Sequence, residues 1–275
     1  MIPRIKKFQE DVWKHYAAHK RTLPWRSTKD PYKILVSEMM LQQTQVERVK
    51  GYYQAFLDRF PDMEALAGAP LSDVLVLWKG LGYNRRAVNL KKTAEIIVAN
   101  GVKFPKEYSA LLALPGIGPS TAGALMNFSY GVATAFIETN IRSVFLHFFF
   151  KGESGVSDAE ILVLVEKTMD QKNPREWYYA LYDYGVMLKK TIGNPNARSK
   201  HYKKQSAFKG SNRELRAKIL FYLVEKKKTT MGILVKKFGS DEERVRKNIE
   251  AFEKEGLISC NRTLRTKTAI VTMLR

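Results

Sequence analysis

Helical periodicity is the feature that most constrains the fold of this chain. Apolar residues recur at three- and four-residue spacing through most of the first 190 residues, which is typical of amphipathic α-helices. No sustained alternation of apolar and polar residues, the pattern of a half-buried strand, occurs before residue 255. The pattern predicts a mainly α-helical protein, with helices over residues 4–20, 46–60, 71–79, 85–100, 108–113, 119–128, 144–150, 158–169 and 175–189 and another that opens at Asp30-Pro31.

The end of the chain has a different organisation. Three further helices are predicted over residues 212–225, 229–238 and 241–254, and Ser240 and Glu243 have the spacing of a capping box at the start of the last one. The β-type residues of the segment 257–274 are interrupted at Asn261-Arg262, which predicts two strands and a turn. Three helices and a hairpin are typical of a small winged-helix-like α+β domain.

The charge is strongly positive and unevenly distributed. The 275 residues carry 47 Lys+Arg against 27 Asp+Glu, and residues 189–275 hold 23 of the basic and 8 of the acidic ones. The polar, basic composition that follows residue 189 predicts a linker over 191–211, between a helical domain (1–190) and the small C-terminal domain (212–275). Such an excess of positive charge favours a polyanionic partner, either nucleic acid or an acidic membrane surface.

Two interpretations of the basic regions stay open. The linker is either a solvated tether or an arm that follows a phosphate backbone, in which case Lys200 and Lys203 would contact phosphates. The winged-helix-like domain either serves protein contacts alone or binds nucleic acid. In the second case its groove or phosphate contacts would be Arg244, Arg246, Lys247 and Arg265.

Composition excludes several classes of protein. A hydrophobic fraction of 45% is that of a folded rather than a disordered chain. No apolar run approaches the roughly 18 residues of a membrane helix, and the first residues do not have the pattern of a secretory signal. The single cysteine, Cys260, excludes an intramolecular disulfide framework, a four-cysteine zinc site and a four-thiolate iron–sulfur cluster. We expect no membrane association, no metal and no cofactor.

A glycine-rich turn separates two of the predicted helices. Its glycines permit a sharp turn and the close approach of a ligand backbone, and the free N–H groups of the following helix would point into the turn. A Gly-x-Gly pair alone is weak evidence, but hydrophobic residues and helices flank this one. The turn predicts an anion site formed by Leu114, Gly116, Ile117, Gly118, Ser120 and Thr121.

The same segment, LPGIGPSTAGA (114–124), resembles the helix-hairpin-helix of the DNA glycosylases that include endonuclease III and the adenine mismatch glycosylases. Three other segments resemble the adenine glycosylase branch, in the family's order: LPWR (23–26), SEMMLQQTQVERV (37–49) and WKGLGYNRRAVNL (78–90). The resemblance implies a glycosylase domain of two helical lobes and, as partner, double-stranded DNA with a mismatch or lesion. We expect a cytoplasmic monomer, associated with the nucleoid if the organism is prokaryotic.

The resemblance also implies a pair of catalytic carboxyls. Excision of a purine needs a proton donor for the leaving base and an anion beside the oxocarbenium-like sugar. Glu38 matches the family's catalytic glutamate, and apolar neighbours on its helix would raise its pKa. Glu138 and Asn140 align with the aspartate and asparagine of the family's Asp-Gly-Asn-Val segment. Glu138 would stabilise the cation or orient water; alternatively, it only caps the next helix.

Ser120 bears on the type of reaction. Bifunctional members of the superfamily carry at this place a lysine that forms a Schiff base with the sugar. A serine cannot do so, and the resemblance therefore implies a monofunctional hydrolase with little or no strand cleavage.

Further residues are expected to contact the DNA. Gln42, Gln43 and Thr44 resemble the family's wedge, which fills the base stack when the target base is flipped out; polar residues on a helix surface are the alternative. Gly82 and Tyr83 are expected at the DNA, although Tyr83 could equally belong to the core. The base pocket is expected to include Trp25 and Arg26.

The chain departs from the family in two respects. The region that begins at Asp183-Tyr184-Gly185 lacks the four cysteines with which most relatives hold an iron–sulfur cluster, and the C-terminal part is too short and too helical for the family's nudix-like domain that senses 8-oxoguanine. We expect a monofunctional glycosylase that removes adenine opposite 8-oxoguanine or guanine. The alternatives are a glycosylase for mispaired hypoxanthine, uracil or thymine, a lyase that acts on oxidised pyrimidines, and a non-catalytic DNA-binding protein.

Overall fold

The structure, a computed structural model, describes residues 2–239, 241–261 and 266–274. Its α-helices are α1 (Ile2–His19), α2 (Pro31–Leu41), α3 (Val46–Arg59), α4 (Met63–Gly68), α5 (Leu71–Trp78), α6 (Arg85–Ala99), α7 (Tyr108–Leu112), α8 (Pro119–Leu125), α9 (Thr139–Phe148), α10 (Asp158–Thr168), α11 (Pro174–Thr191), α12 (Asn212–Lys226), α13 (Met231–Phe238) and α14 (Glu242–Lys254). The strands are β1 (Lys228–Thr230), β2 (Ile258–Cys260) and β3 (Ile270–Met273). The predicted fold class, mainly α-helical, is confirmed.

Two compact units make up the fold. The first combines Met1–Glu38 with Phe104–Lys204, and the second combines Met39–Lys103 with Gln205–Arg275. Each unit is thus assembled from two separate stretches of chain. The domain boundaries predicted from composition follow the order of the sequence instead, and they stay a prediction.

An aromatic cluster joins three helices of the first unit. The ring of Phe8 on α1 lies 5.3 Å from the ring of Phe145 on α9 and 5.8 Å from that of Trp177 on α11, measured between centroids. All three side chains are fully buried. Burial of an aromatic side chain of this size contributes about 1.5–3 kcal/mol. The cluster therefore fixes α1, α9 and α11 as the frame of the unit.

Helix α11 approaches the first turn of α9 closely. A Cβ atom on Gly185 would lie 2.6 Å from the carbonyl oxygen of Asn140, so a larger residue does not fit at this position. Helix α9 begins at Thr139 and not at residue 144 as predicted, because the side chain of Glu138 accepts hydrogen bonds from the N–H groups of Asn140 and Ile141 and starts the helix there.

The second unit contains α3 to α6 and the C-terminal elements. Phe56 of α3 packs edge-on against Trp78 of α5, with ring centroids 5.8 Å apart, and α6 packs against α4 and α5. Helix α4 is absent from the predicted elements because six residues, Met63–Gly68, are too few for a recognisable helical period.

The C-terminal elements have the expected winged-helix-like composition of three helices and a hairpin. Strands β2 and β3 pair antiparallel, with Ile258 opposite Met273. On the other side of β3 lies β1, with Thr229 opposite Val271, so the sheet has the order β1-β3-β2. Strand β1 is absent from the predicted elements because a strand of three residues gives too short an alternation to detect, and the helix predicted from residue 229 begins at Met231.

The start of α14 differs in detail from the prediction. Asp241 holds the N-cap position, and its carboxylate accepts a hydrogen bond from the N–H of Arg244. The predicted cap, Ser240, lies outside the described residues, as does Arg265.

The first half of the predicted linker is structured. Residues Pro195–Arg198 form a 3₁₀-helix that packs on α9. The N–H of Lys200 donates to the carbonyl oxygen of Val156, and the guanidinium of Arg198 donates to that of Leu146 at 2.7 Å. This half is therefore part of the first unit. Within the described residues, no helix is both long and apolar enough to cross a membrane.

Replacing Gly185 by alanine is expected to lower the free energy of unfolding by about 1–3 kcal/mol, because the new methyl group would overlap Asn140 and separate α11 from α9. Thermal unfolding measures the loss as a lower Tm. Gly51→Ala is the matched control, since Gly51 lies within α3 and its Cβ position has no neighbour within 4 Å. That variant should be as stable as the wild type or slightly more so. Equal Tm values for Gly185→Ala and the wild type would contradict the close packing.

Candidate active site and nucleic-acid interface

Glu38 lies on α2 in the first unit. The helix starts at Pro31, a residue suited to the first helical position, and the carboxylate of Asp30 accepts a hydrogen bond of 2.8 Å from the N–H of Tyr32. Leu35, one turn before Glu38, is fully buried, whereas Glu38 itself is half-buried. Burial, together with the nearby charge of Glu138, raises the pKa of Glu38 to about 8.

Glu138 occupies the N-cap position of α9 in the same unit. Its Oε1 accepts hydrogen bonds from the N–H groups of Asn140 and Ile141 at 2.7 and 3.0 Å. Its Oε2 accepts a further bond from the side-chain amide of Asn140 at 3.2 Å. Capping is therefore a real function of this side chain. Capping does not exclude that Glu138 also stabilises the cation or orients water, because the same carboxylate is close enough to Glu38 to raise the pKa of that residue.

The surroundings distinguish the two carboxyls. Burial raises the pKa of Glu138, but the hydrogen bonds from Asn140 and Ile141 and the charges of Lys189 and Arg142 act in the opposite direction. For Glu38, burial and the charge of Glu138 both raise the pKa. The arrangement favours a proton on Glu38 and a negative charge on Glu138. These are the states that a general acid and a stabilising anion require.

Two tyrosines of α11 near the carboxyls were not predicted as site residues. Burial and the charges of Glu38 and Glu138 raise the pKa of Tyr182 well above its usual range. The hydroxyl of Tyr179 is buried and, within the described part of the chain, has no hydrogen-bond partner. The segment YYALYDY (178–184) gave the only signal in the sequence. Aromatic residues at helical spacing usually indicate a core face, so this pattern does not by itself indicate a functional site.

Trp25 and Arg26 are buried. Trp25 is 3% exposed. The guanidinium of Arg26 donates two hydrogen bonds of 2.8 Å to the carboxylate of Asp183, which also pairs with Arg21. Its carbon Cζ lies 4.4 Å from the ring centroid of Tyr179. This ion cluster joins the turn Pro24–Arg26 to α11, and the place of Trp25 and Arg26 in a base pocket stays a prediction.

The glycine-rich turn forms a hairpin between α7 and α8. Leu114 and Ile117 are buried beneath it. Gly116 is exposed and has a φ of 76°, in the left-handed region that favours glycine. No side chain caps the first turn of α8, where Ser120 is half-buried and Thr121 is buried. The hairpin thus presents mainly backbone groups to a ligand.

In the second unit, one arginine holds the predicted wedge segment in place. The guanidinium of Arg86 donates to the carbonyl oxygens of Met39 and Met40 at 2.6 and 2.8 Å and to that of Gly82 at 2.9 Å. It also donates to the hydroxyl of Thr44 at 3.1 Å. Burial lowers the pKa of Arg86 to about 10, which still leaves the group charged at neutral pH. Arg86 was not predicted; only its place in the segment WKGLGYNRRAVNL pointed to it.

Two exposed residues, Gln43 after α2 and Tyr83 before α6, contact the C-terminal part of the second unit. Tyr83 is 37% exposed and is therefore not a core residue. The hydroxyl of Tyr83 accepts a hydrogen bond of 3.2 Å from Arg213, and Gln205 donates one of 2.8 Å to the side chain of Gln43. Gln42 lines a groove together with Gln43 and Tyr83. The role of this segment as a wedge stays a prediction.

The predicted phosphate contacts lie at the surface. Lys200, Lys203 and Lys247 are exposed, and Arg244 is half-buried. Lys247 lies 3.5 Å from the carboxylate of Glu243, but an exposed ion pair of this kind contributes little. These side chains can therefore exchange their present contacts for phosphates.

The donor set of the chain does not fit the iron–sulfur cluster that most members of the family hold. Cys260, the single cysteine, lies in β2 of the second unit. Within the described ranges, no three or more His, Cys, Asp and Glu side chains form a group that could hold a metal ion. Protein contacts hold the segment after α11 instead. The guanidinium of Arg142, for example, bonds to Asn196 at 3.3 Å, and that of Arg198 bonds to the carbonyl oxygen of Leu146 at 2.7 Å.

Known proteins resemble this chain in sequence. Residues 36–187 match the family described as HhH-GPD superfamily base excision DNA repair protein. The adenine DNA glycosylase of Buchnera aphidicola subsp. Baizongia pistaciae is 40% identical over 182 residues, which are 64% of this chain and 50% of that protein. The adenine DNA glycosylase of Homo sapiens is 31% identical over 200 residues, which are 68% of this chain and 37% of that protein. The chain thus spans about half or less of the length of these curated relatives.

Solved structures resemble it as well. A thermostable thymine-DNA glycosylase matches with a TM-score of 0.60 and 27% identity, over 69% of this chain and 87% of that one. A trapped covalent intermediate of endonuclease III with DNA matches with a TM-score of 0.55 and 18% identity, over 76% and 91% of the two chains. At 18% identity, the similarity to endonuclease III concerns the fold alone.

Glu38→Gln is expected to stabilise the protein at alkaline pH. A carboxyl whose pKa rises from 4.5 to about 8 on folding makes the protein less stable as the pH increases between these values, because the folded state keeps a proton that the unfolded chain releases. The uncharged amide does not have this effect. The difference in Tm between variant and wild type should therefore widen from about pH 5 to about pH 8. Glu166→Gln, on the exposed face of α10, is the control, and a pH-independent Tm difference for Glu38→Gln would contradict the raised pKa.

Proposed function

Because the chain belongs to the HhH-GPD superfamily of base excision DNA repair proteins, we propose that it is a DNA glycosylase that hydrolyses the N-glycosidic bond of mispaired adenine. The observation that carries the proposal is the pair Glu38 and Glu138, two carboxyls in one unit whose surroundings favour different protonation states. Burial of an acid costs free energy, and DNA binding alone does not require it. The names of the relatives support adenine as the base.

The two carboxyls would divide the chemistry. Glu38 donates its proton to a ring nitrogen of the flipped adenine, so that the base departs neutral with the electron pair of the glycosidic bond. The deoxyribose is left with an oxocarbenium-like charge, which the carboxylate of Glu138 stabilises. Water then adds to C1′ and releases a proton. The product is an abasic site.

Ser120 supports hydrolysis without strand cleavage. A lyase needs an amine that forms a Schiff base with the opened sugar, and a serine hydroxyl cannot form one. Ser120 lies in the first turn of α8, half-buried beside the glycine hairpin. The enzyme proposed here is therefore monofunctional.

The DNA would be bound by backbone and basic side chains. The hairpin around Gly116 and Gly118 offers N–H groups to a phosphate, and the surface lysines and arginines add a positive field. Gln42 and Gln43, in the segment braced by Arg86, would fill the stack that the extruded base leaves. The base opposite the adenine is proposed to be 8-oxoguanine or guanine.

Thymine is the second candidate substrate. The observation in its favour is the similarity to a thermostable thymine-DNA glycosylase, which is 27% identical in sequence. A mispaired thymine is a pyrimidine, and its release needs protonation or stabilisation of an oxygen instead of a purine nitrogen. A substrate panel separates the two candidates.

A single-turnover assay on duplexes that contain one mismatch is expected to show adenine release opposite 8-oxoguanine or guanine, with strand breaks only after alkali. The panel includes thymine, uracil and hypoxanthine opposite guanine or thymine, and fully paired DNA is the control. Glu38→Gln should slow the release about 10²–10⁴-fold, because it lacks the donated proton. Release of no base from any duplex would refute the glycosylase. Strand breaks without alkali would refute the monofunctional reaction.

Removing two of the four basic side chains of α14, in Arg244→Ala/Lys247→Ala, is expected to weaken DNA binding and to reduce the slope of log Kd against log salt by up to about 2, since each phosphate contact contributes roughly 0.9. Fluorescence anisotropy over a salt series measures both quantities. Lys172→Ala, an exposed lysine before α11, is the control and should keep the wild-type slope. An unchanged slope for the double variant would mean that α14 does not contact the phosphates.

A further inference from the structure

Lys189 lies near the end of α11 in the first unit and is linked to the carboxylate of Glu138 through the side chain of Asn140. Its ammonium donates a hydrogen bond of 3.2 Å to the side-chain oxygen of Asn140. The amide nitrogen of Asn140 in turn donates a bond of 3.2 Å to Oε2 of Glu138. Within the described residues, no carboxylate lies at ion-pair distance from Lys189. Its contact with Glu138 therefore runs through Asn140.

The chemistry of these groups gives the chain of hydrogen bonds a direction. An ammonium group can only donate hydrogen bonds, whereas a side-chain amide accepts at its oxygen and donates at its nitrogen. Lys189 therefore requires the oxygen of Asn140 to face it, and this leaves the NH₂ group to face Glu138. Without the lysine, the amide could rotate by half a turn and present its oxygen to the carboxylate, which would repel it.

The fold brings Lys189 to this position through Gly185. The two residues are four apart on α11 and thus lie on the same face of the helix. A Cβ on Gly185 would be 2.6 Å from the carbonyl oxygen of Asn140, so the absence of a side chain lets α11 lie against the first turn of α9. One turn later, the lysine reaches the side chain of the same asparagine. The close approach and the hydrogen bond therefore belong to a single contact between two helices.

Among the described charged groups around Glu138, Lys189 is the cation without a direct carboxylate partner. From α9, Arg142 faces Glu138, but its guanidinium is paired with Asp158 through two bonds of 2.6 and 2.7 Å. From α2 and α11, Glu38 and Tyr182 face it and bring no positive charge. The positive charge of Lys189 therefore lowers the free-energy cost of a negative charge on the half-buried Glu138.

We propose that Lys189 is a positioning residue for the proposed glycosylase reaction: it fixes the amide of Asn140, and the fixed amide holds the carboxylate of Glu138 at the reacting sugar. This inference rests on the proposed function for its effect on rate. The geometry of the three residues can be tested without any substrate.

The first test is the single-turnover rate of base release by Lys189→Met, measured over a range of pH. We expect the rate to fall about 10–100-fold, as for a misplaced catalytic group, with a Kd for the duplex within a few-fold of wild type. The acidic limb of the pH profile should move to higher pH, because loss of the cation raises the pKa of Glu138 further. Lys189→Arg keeps the charge and the donors and should recover most of the rate.

Two further variants make the result specific. Lys167→Met removes a lysine that is exposed on α10 and should behave as the wild type. In an Asn140→Ala background, Lys189→Met should cause little additional loss, because the two residues act in series. A wild-type rate and an unmoved acidic limb for Lys189→Met would overturn the proposal, and so would independent, multiplicative effects of the two substitutions.

The second test does not depend on activity. A ¹³C NMR titration of the side-chain carboxyl of Glu138, assigned with Glu138→Gln, compares the DNA-free wild type with Lys189→Met and Lys189→Arg. The pKa of Glu138 should be higher in the methionine variant and close to wild type in the arginine variant. Equal pKa values in all three proteins would refute the role of Lys189. If the wild type releases no base, the proposed function fails while this titration still decides the contact.

Discussion

The carboxylate of Glu138 at the N-terminus of α9 is the interaction on which the rest of the site depends. A helix N-terminus offers unpaired N–H groups and a partial positive charge, and both stabilise an anion. Two such N–H groups bind one oxygen of Glu138, and the amide of Asn140 binds the other. Helix α9 begins where it does because of this cap, and α11 can lie against its first turn because residue 185 is glycine. The cap thus sets the start of α9 and the position of a negative charge, and Gly185 lets α11 pack beside both.

The negative charge also determines the state of its neighbour. Glu38 lies in the same unit and keeps its proton to about pH 8, since burial and the charge of Glu138 both oppose its ionisation. Two carboxyls that were equally solvated would titrate together and could not act as acid and anion at the same pH. Hydrogen bonds and nearby cations favour ionisation of Glu138, and in the described part of the chain they have no counterpart at Glu38. The raised pKa of Glu38 is expected to cost stability as the pH rises from about 5 to about 8, as is common where function requires a buried acid.

Much of this arrangement could be predicted from residues close together in the sequence. The helical periods, the glycine hairpin, Glu38 and Glu138 were all recognised in short segments of the sequence. The family match over residues 36–187 confirms the resemblance to the DNA glycosylases. Arg86, Tyr182 and Lys189 were missed. Arg86 bonds to a turn more than 40 residues away in the sequence, and Lys189 bonds to a residue 49 positions away. Nothing in the sequence around a lysine or an arginine indicates such a partner.

The sequence by itself therefore determined the helical class and the family and predicted the two carboxyls, because each depends on residue types within short segments. The apolar neighbours of Glu38 predicted a raised pKa from the sequence, but only the tertiary structure showed the groups at Glu138 that complete the choice of which carboxyl holds the proton. That choice depends on burial and on donors from several elements: the first turn of α9, the amide of Asn140 and the ammonium of Lys189 on α11. The protonation state of an acid is a property of the groups that surround it in space, and folding alone brings those groups together.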